Sequence, residues 1–127
     1  MKTIASNEYY SVAVDTQKNR LFLSASGMWL KETEVKGFVA DVKKGLDELR
    51  TNLTILIDAR GMKGTSLPNL FVDAQKAGVA KGIKRVASVW DRESFFRFQA
   101  DQIKQTSGFP VQRFAAMEEA EAWLDEG

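Results

Sequence analysis

Short apolar segments alternate with segments of helical periodicity from about residue 30 onward, and this alternation is the strongest constraint on the fold of the chain. The segments Leu53–Ala59 and Arg85–Trp90 have the composition of buried strands, and Val111–Ala115 is the last predicted strand. The spacing of apolar residues predicts helices over Glu32–Leu49, Pro68–Lys81, Arg92–Thr106 and Glu118–Asp125. Strands that alternate with helices imply right-handed parallel crossovers, so we expect a mostly parallel sheet covered by helices.

The segment before these units predicts an antiparallel hairpin. Apolar residues alternate with small or polar ones over Tyr10–Val14 and again over Leu21–Ala25. The polar stretch between them, Asp15–Asn19, is too short for a parallel crossover. The predicted fold class is therefore one α/β domain over residues 1–127, with the element order β-β-α-β-α-β-α-β-α and an antiparallel N-terminal edge.

Composition excludes several kinds of chemistry. The chain has no Cys and no His, which removes disulfides, thiolate nucleophiles, zinc-finger sites and Ser–His–Asp catalysis. Its 18 basic and 17 acidic residues leave a formal charge of +1, which gives no electrostatic reason to expect nucleic acid as a partner. We predict no cofactor and no enzymatic activity.

The apolar segments are also too short for a membrane protein. No apolar run approaches the roughly 20 residues that a membrane-spanning helix needs. The first residues, Met1–Asn7, lack the apolar core of a signal peptide. These features predict a cytoplasmic location and no transmembrane segment.

Three stretches of the chain carry a family resemblance. They are the hairpin Tyr10–Gly27, the strand and following residues Ile55–Met62, and the ending Val111–Phe114 with Glu118–Leu124. Together they resemble the SpoIIAA-like family, a branch of the STAS (sulfate transporter and anti-sigma-factor antagonist) fold, over essentially the whole chain. The resemblance implies a bacterial regulatory or protein-interaction domain that is not catalytic. It also implies an unidentified protein partner.

One motif of that family is absent. The resemblance to STAS regulators that are switched by phosphorylation would require Asp-Ser-Ser-Gly or Asp-Thr-Ser-Gly at the start of a helix. Alignment of Asp58 and Gly61 on that pattern places residues 66–69, Ser-Leu-Pro-Asn, where the motif would lie. The resemblance therefore does not extend to the phosphoserine switch, and Thr65 or Ser66 could replace it only in a different loop register.

The residues after the strand Leu53–Ala59 are predicted to form a loop that leads into a helix. The candidate binding residues of this loop are Gly61, Lys63, Gly64, Thr65 and Ser66. Helix N-termini and the carboxyl ends of parallel strands favour anions, so free backbone N–H groups, two hydroxyls and a lysine could hold a phosphate or carboxylate. The alternative is an ordinary turn in which Ser66 caps the helix.

Two aspartates lie at the ends of predicted strands. Asp58 and Asp91 could come close together at the same edge of the sheet, where paired carboxylates bind Mg²⁺ or form an acyl-phosphate. A Mg²⁺-dependent enzyme is therefore a third hypothesis. The alternative is that both are solvated loop carboxylates or helix caps.

A dense group of large apolar residues is predicted near the end of the second buried strand. Its members are Trp90, Phe95, Phe96 and Phe98, with Trp29 and Met28. The three phenylalanines cannot all face the core from one helix, because their positions span about 300° at 100° per residue. At least one is predicted to be exposed, at a partner surface, at a dimer interface or at the mouth of an apolar pocket. The alternative is ordinary core with one stray aromatic residue.

An apolar pocket would give the domain a different function. The SpoIIAA-like branch is similar in architecture to lipid-binding CRAL-TRIO (Sec14-like) domains, and the aromatic helix could line a pocket. A carrier of a small apolar ligand or lipid is therefore the second functional hypothesis.

Overall fold

The computed structural model describes residues 1–91 and 96–126. Its strands are β1 (Lys2–Ser6), β2 (Tyr10–Asp15), β3 (Arg20–Trp29), β4 (Leu53–Thr65), β5 (Ile83–Val89) and β6 (Val111–Phe114). Its helices are α1 (Phe38–Asp47), α2 (Pro68–Lys81), α3 (Phe96–Ser107) and α4 (Met117–Glu126), and a 3-10 turn occupies Glu32–Glu34. The described strands form one sheet in the order β1-β2-β3-β4-β5-β6.

The sheet is mixed, as the sequence predicts. β1–β2 and β2–β3 are antiparallel pairs, whereas β3–β4, β4–β5 and β5–β6 are parallel pairs. The predicted α/β fold class is therefore confirmed. Strand β1 was not predicted, because this outer edge strand is short, largely exposed and without the strong apolar alternation of a core strand.

The described helices match the predicted segments, except that one predicted helix is divided in two. α2 has the predicted bounds, Pro68–Lys81. The predicted helix Glu32–Leu49 is divided into the 3-10 turn and α1, which begins only at Phe38. Gly37 causes the break, because its φ of 93° is a left-handed conformation that residues with a side chain rarely adopt. The start of the predicted helix Arg92–Thr106 lies outside the described residues.

The apolar face of the segment around α1 is buried as expected. Val35, Phe38, Val42, Leu46 and Leu49 each expose 5% or less of their surface. Burial of five such side chains contributes on the order of 10 kcal/mol before conformational entropy is subtracted. The division of the predicted helix therefore leaves its contribution to the core intact.

The length of β4 is the largest departure from the sequence-based expectation. β4 continues to Thr65, whereas the predicted strand ends at Ala59. Its added residues pair with the second half of β3, with Gly61 opposite Ser26. Only glycine fits there, because a Cβ on Gly61 would lie 2.9 Å from the Cβ of Ser26. The predicted loop over residues 61–66 is therefore wrong: five of these six residues belong to the strand.

The helices cover the sheet unequally. α1, α2 and α3 pack on one face and form the larger core, and α4 packs on the other face over a smaller one. Successive residues of β4 enter different cores, since Ile55 lies in the larger core and Leu56 in the smaller. No helix within residues 1–91 and 96–126 is long and apolar enough to cross a membrane.

A buried arginine fixes the C-terminal end of α4. Arg20 is 2% exposed, and its Nε donates to Thr54 Oγ1 at 2.9 Å. Its Nη2 donates to Asp125 Oδ1 on α4 at 2.8 Å. The guanidinium therefore ties α4 to the middle of the sheet through a charge-assisted hydrogen bond.

Candidate functional site

The second half of β3 and the end of β4 form a two-stranded ribbon beyond the rest of the sheet. The pairing of β2 with β3 stops at Ala25, and that of β5 with β4 stops at Asp58. The ribbon, which comprises Ser26–Trp29 and Gly61–Thr65, therefore needs another element at its tip. Helix α3 supplies it: the Gln99 amide donates to the Thr65 carbonyl at 2.7 Å, and its Oε1 accepts from the Thr65 N–H at 2.9 Å.

The two hydroxyls that were predicted to bind an anion contact the backbone instead. The buried Thr65 hydroxyl donates to the Trp29 carbonyl at 2.9 Å and accepts from the Leu67 N–H at 2.8 Å. The exposed Ser66 hydroxyl donates to the Leu30 carbonyl at 3.0 Å. Leu67 is the N-cap residue of α2 and no side chain caps this helix, so the predicted cap by Ser66 is wrong.

The other candidates of the predicted loop lie in the ribbon. Gly61 and Gly64 are in register with Ser26 and Met28 of β3, and the Lys63 side chain is exposed. The structure thus has paired strand backbone where the anion hypothesis required a loop of free N–H groups. These residues remain candidates through their position and not through the predicted cradle.

Three residues with exposed apolar side chains lie in the ribbon or next to residues that contact its tip. Met28, Leu30 and Phe98 expose 48%, 57% and 59% of their surfaces, respectively. A Cβ on Gly64 would lie 3.2 Å from Met28 Sδ and 3.4 Å from Gln99 Oε1, so Met28 lies beside the Gln99 contact. Phe98 precedes Gln99 on α3, and the Leu30 carbonyl binds Ser66. We call Met28, Leu30 and Phe98 the ribbon patch.

The exposure of Phe98 confirms the prediction that the aromatic helix cannot bury all its rings. Phe96 is 4% exposed and belongs to the larger core, whereas Phe98, two positions along α3, faces outward. Two positions are about 200° apart on a helix, so opposite placement is expected. Phe95, the third predicted member, lies outside the described residues.

Basic residues adjoin the ribbon patch. Lys31 follows Leu30, Lys63 precedes Gly64, and both side chains are exposed. The Arg97 guanidinium lies 5.1 Å from the centre of the Phe98 ring, within cation–π range. The exposed Glu32 is the acidic neighbour of Lys31. Three cations at an apolar surface favour an acidic partner.

Trp90 lies at the border of the larger core and not in the patch. It is half-buried, and its ring stacks on Phe96 with 5.6 Å between ring centres and 16° between ring planes. The Arg113 guanidinium lies 5.2 Å from the centre of the indole, and the indole N–H donates to Ser88 Oγ. Trp90 is therefore held by contacts within the domain and is not part of the exposed patch.

The aspartates of the metal hypothesis have different surroundings. Ile57 and Ala59 contact the larger core, so Asp58 between them faces the α4 side of the sheet. Its carboxylate accepts from Arg60 Nε at 2.9 Å and from Arg60 Nη2 at 2.8 Å. These hydrogen bonds hold the pKa of Asp58 below its usual range. Asp91 is exposed, two residues beyond the partner of Asp58 in β5.

A guanidinium therefore already neutralises one of the two carboxylates. Among residues 1–91 and 96–126, no group of three or more acidic side chains is arranged to hold a metal ion. The geometry gives the Mg²⁺ hypothesis no support.

An apolar cavity of about 80 Å³ lies between the sheet and helices α1 to α3. Leu21, Ile55, Phe71, Phe96 and Ile103 are among the residues at its walls. An unfilled volume of that size costs a domain about 2 kcal/mol at roughly 24 cal/mol per Å³. The cavity is therefore a departure from close packing, and Phe96 of the aromatic helix is at its wall, where the sequence had suggested a pocket.

The comparisons with known proteins concern the fold. No model of a known protein family matches the chain, and no curated protein matches it. Its structure is similar to that of an uncharacterised protein of the DUF3478 family with a SpoIIAA-like fold, from Shewanella loihica PV-4. The two share 20% identity at a TM-score of 0.60, over 94% of this chain and 98% of the other. The chain has a SpoIIAA-like fold.

Two further structures with the SpoIIAA-like fold are similar over nearly their full length. The unphosphorylated anti-sigma factor antagonist SpoIIAA is 13% identical at a TM-score of 0.61, over 93% of this chain and 97% of the other. The phosphorylated Bacillus cell fate determinant SpoIIAA is 13% identical at a TM-score of 0.60, over 91% and 98%. The resemblance drawn from the hairpin and the C-terminal segments is thereby confirmed at the level of fold.

Sequence reasoning missed the residues that complete this end of the SpoIIAA-like fold. Gln99 contacts Thr65 across 34 positions, and no local pattern signals that pairing. Leu30 was not recognised as exposed because it follows an apolar strand. The cavity had one readable signal, since Ala74 and Gly78 place small side chains four residues apart on the buried face of α2.

Proposed function

We propose that this SpoIIAA-like domain is a non-catalytic regulatory domain that binds a protein partner through the ribbon patch. The observation that carries the proposal is the exposure of Met28, Leu30 and Phe98 around one strand tip. Single exposed apolar residues are normal on soluble proteins, but several around one point are typical of an interaction site. The patch lies beside Thr65 and Ser66, the candidate residues closest to α2.

The charges around the patch support an acidic protein partner with an apolar centre. Lys31 and Arg97 are the chain neighbours of Leu30 and Phe98, and Lys63 precedes Gly64, the register partner of Met28. Aromatic and arginine side chains dominate the binding energy of many interfaces, and Arg97 already lies against Phe98. Cations at the rim accelerate encounter with an acidic surface and add a dependence on salt.

The surroundings of Thr65 and Asp58 support a role without catalysis and without phosphorylation of Thr65. The Thr65 hydroxyl is buried with two backbone partners, and Asp58 is held by Arg60. One protein of similar fold is described as an anti-sigma factor antagonist, a name that refers to action on another protein. By analogy of fold, we extend the expectation of a protein target to this chain.

Two alternatives, a lipid carrier and a Mg²⁺-dependent enzyme, have less support. A cavity of about 80 Å³ is far below the roughly 300–1,000 Å³ of typical ligand pockets, which disfavours a lipid carrier. The Mg²⁺-dependent enzyme would need Asp58 as a ligand, and the Arg60 guanidinium occupies both of its carboxylate oxygens.

A capture experiment with matched variants tests the proposal. The experiment compares wild type with the triple variant Met28→Ser/Leu30→Ser/Phe98→Ser and with the control Val79→Ser. Each protein is cross-linked to its neighbours in cells of the source organism. Val79 is 43% exposed on α2, so its variant controls for loss of an exposed apolar side chain elsewhere. We expect one protein to be recovered by wild type and by the control, and lost with the triple variant. Circular dichroism verifies that all three are folded.

Two outcomes would contradict the proposal. The first is recovery of the same proteins by the triple variant and by wild type. The second is a wild-type dimer in sedimentation velocity that the triple variant abolishes, because the patch would then bind a second copy of this chain.

A further inference from the structure

The cavity in the larger core is lined in part by two small residues of one helix. Ala74 and Gly78 are buried on α2 and line the cavity together with Phe96 and Ile103 of α3. Protein cores contain few voids larger than a water molecule, because side chains interdigitate to close packing. A volume of about 80 Å³ under three helices is therefore a site where a guest can be held.

The polar groups at the cavity wall already have partners. Ser88 Oγ accepts from the Trp90 indole, and Gln75 Oε1 accepts from the Ser107 hydroxyl. The Lys104 ammonium donates to the Val111 carbonyl at 3.3 Å, and the Arg113 guanidinium pairs with Asp101. A buried charged ligand needs a compensating polar partner, and these groups are already paired. The cavity therefore favours an uncharged ligand.

The volume limits the size of the occupant. An apolar cavity of about 150 Å³ in another protein stays dry and binds benzene, which has six carbon atoms. At about half that volume, this cavity holds roughly three or four non-hydrogen atoms. We propose that the cavity is a binding site for a small uncharged apolar molecule of that size, such as a short-chain alcohol. This site is independent of the protein-binding surface, which lies outside the core.

Methyl NMR with 1-propanol as the probe tests the site, with xenon as a second probe. Addition of 1-propanol shifts the methyl signals of Leu21, Ile55 and Ile103 with saturation, whereas Leu124 in the smaller core does not respond. Propionate serves as the charged control of similar size and produces no saturable shift. Ala74→Leu fills the cavity, and Ala80→Leu makes the same change at an exposed position of the same helix.

We expect Ala80→Leu to bind 1-propanol as wild type does and Ala74→Leu to bind at least tenfold more weakly. Ala100→Leu is the second blocking variant if Ala74→Leu does not fold, because Ala100 lies at the cavity wall on α3. Absence of saturable shifts with both probes overturns the proposal, as does equal binding by a folded blocking variant. Propionate binding equal to that of 1-propanol overturns the uncharged class.

Discussion

The side-chain amide of Gln99 binds both backbone polar groups of Thr65, as a neighbouring strand would. It donates to the carbonyl at 2.7 Å and accepts from the N–H at 2.9 Å. β5 pairs with β4 only as far as Asp58, so Gln99 takes the place of a strand at the ribbon tip. Because Phe98 is the preceding residue, the same contact positions α3 and the exposed ring beside the ribbon.

Replacement of Gln99 by Leu should destabilise the ribbon tip. The change removes the hydrogen-bond partner of the Thr65 N–H and of the Thr65 carbonyl. Loss of hydrogen bonds to buried polar groups costs about 1–3 kcal/mol. We expect the free energy of unfolding to fall by about that amount and the amide of Thr65 to exchange faster with solvent. Gln105→Leu, at an exposed position on the same helix, is the control. Unchanged exchange at Thr65 in the Gln99 variant would argue against the pairing.

The contact between Tyr10 and Asp41 should make stability sensitive to alkaline pH. Burial and the hydrogen bond to Asp41, at 2.6 Å, raise the pKa of Tyr10 to about 12 from 10.0. A pKa raised in the folded state stabilises the protein fully below pH 10, and this contribution is lost as the pH rises through about 12.

The corresponding variant is Tyr10→Phe. Loss of the hydrogen bond to a carboxylate should lower the free energy of unfolding by about 1.5–3 kcal/mol at pH 7. The deficit should shrink between pH 10 and 12 in urea unfolding. The measurement uses a Tyr9→Phe background, because the hydrogen bond to Glu34 also raises the pKa of Tyr9 to about 12. A deficit that stays constant over that range would contradict the raised pKa of Tyr10.

The ion pair of Asp58 and Arg60 should make stability sensitive to acid pH. Hydrogen bonds from Arg60 lower the pKa of Asp58 below 3.8, so the stabilisation is present above that pH and is lost as the pH falls through the depressed pKa. Asp58→Asn should cost about 0.2–1 kcal/mol at pH 7, as expected for a partly exposed pair. A double-mutant cycle with Arg60→Gln measures the coupling, which should vanish in strong acid. A coupling energy that is unchanged in acid would contradict the pair.

Reversal of the charge at Lys63 should slow association with the partner. Lys63→Glu replaces an exposed cation beside the ribbon patch by an anion, and rim charges act mainly on the association rate. We expect a decrease of about tenfold in that rate at low salt, and a smaller effect at high salt. Lys76→Glu, at an exposed position of α2, gives the matched change of net charge. Equal rates for the two variants in stopped-flow measurements would exclude an acidic partner surface.

Much of the fold could be predicted because local signals coincide with the element ends. Pro68 and Gly82 mark the ends of α2, and the helical spacing of Val42 and Leu46 identified the buried face of α1. The extension of β4 could not be predicted, because Gly61, Lys63 and Gly64 have the composition of a turn. Pairing with β3, which is distant in the chain, overrides that local preference.

Within the candidate site, only a feature that depends on helix geometry alone could be predicted from the sequence. The angular spacing of Phe96 and Phe98 required one ring to face outward, and Phe98 does. The functions assigned to Thr65 and Ser66 depended on a loop, and their hydroxyls instead bind the carbonyls of Trp29 and Leu30. Contacts of this kind depend on the tertiary arrangement of β3 and β4, which no local pattern specifies.

The central claim is that the ribbon patch binds a protein partner, and the most direct test is the Kd of the purified captured partner. Isothermal titration compares wild type, the Met28→Ser/Leu30→Ser/Phe98→Ser variant and Val79→Ser. Loss of central apolar contacts at an interface costs more than about 1 kcal/mol each, so the triple variant should bind at least about 100-fold more weakly. Val79→Ser should bind as wild type does. A Kd of the folded triple variant within about threefold of wild type, which is less than the loss of one such contact, would contradict the account.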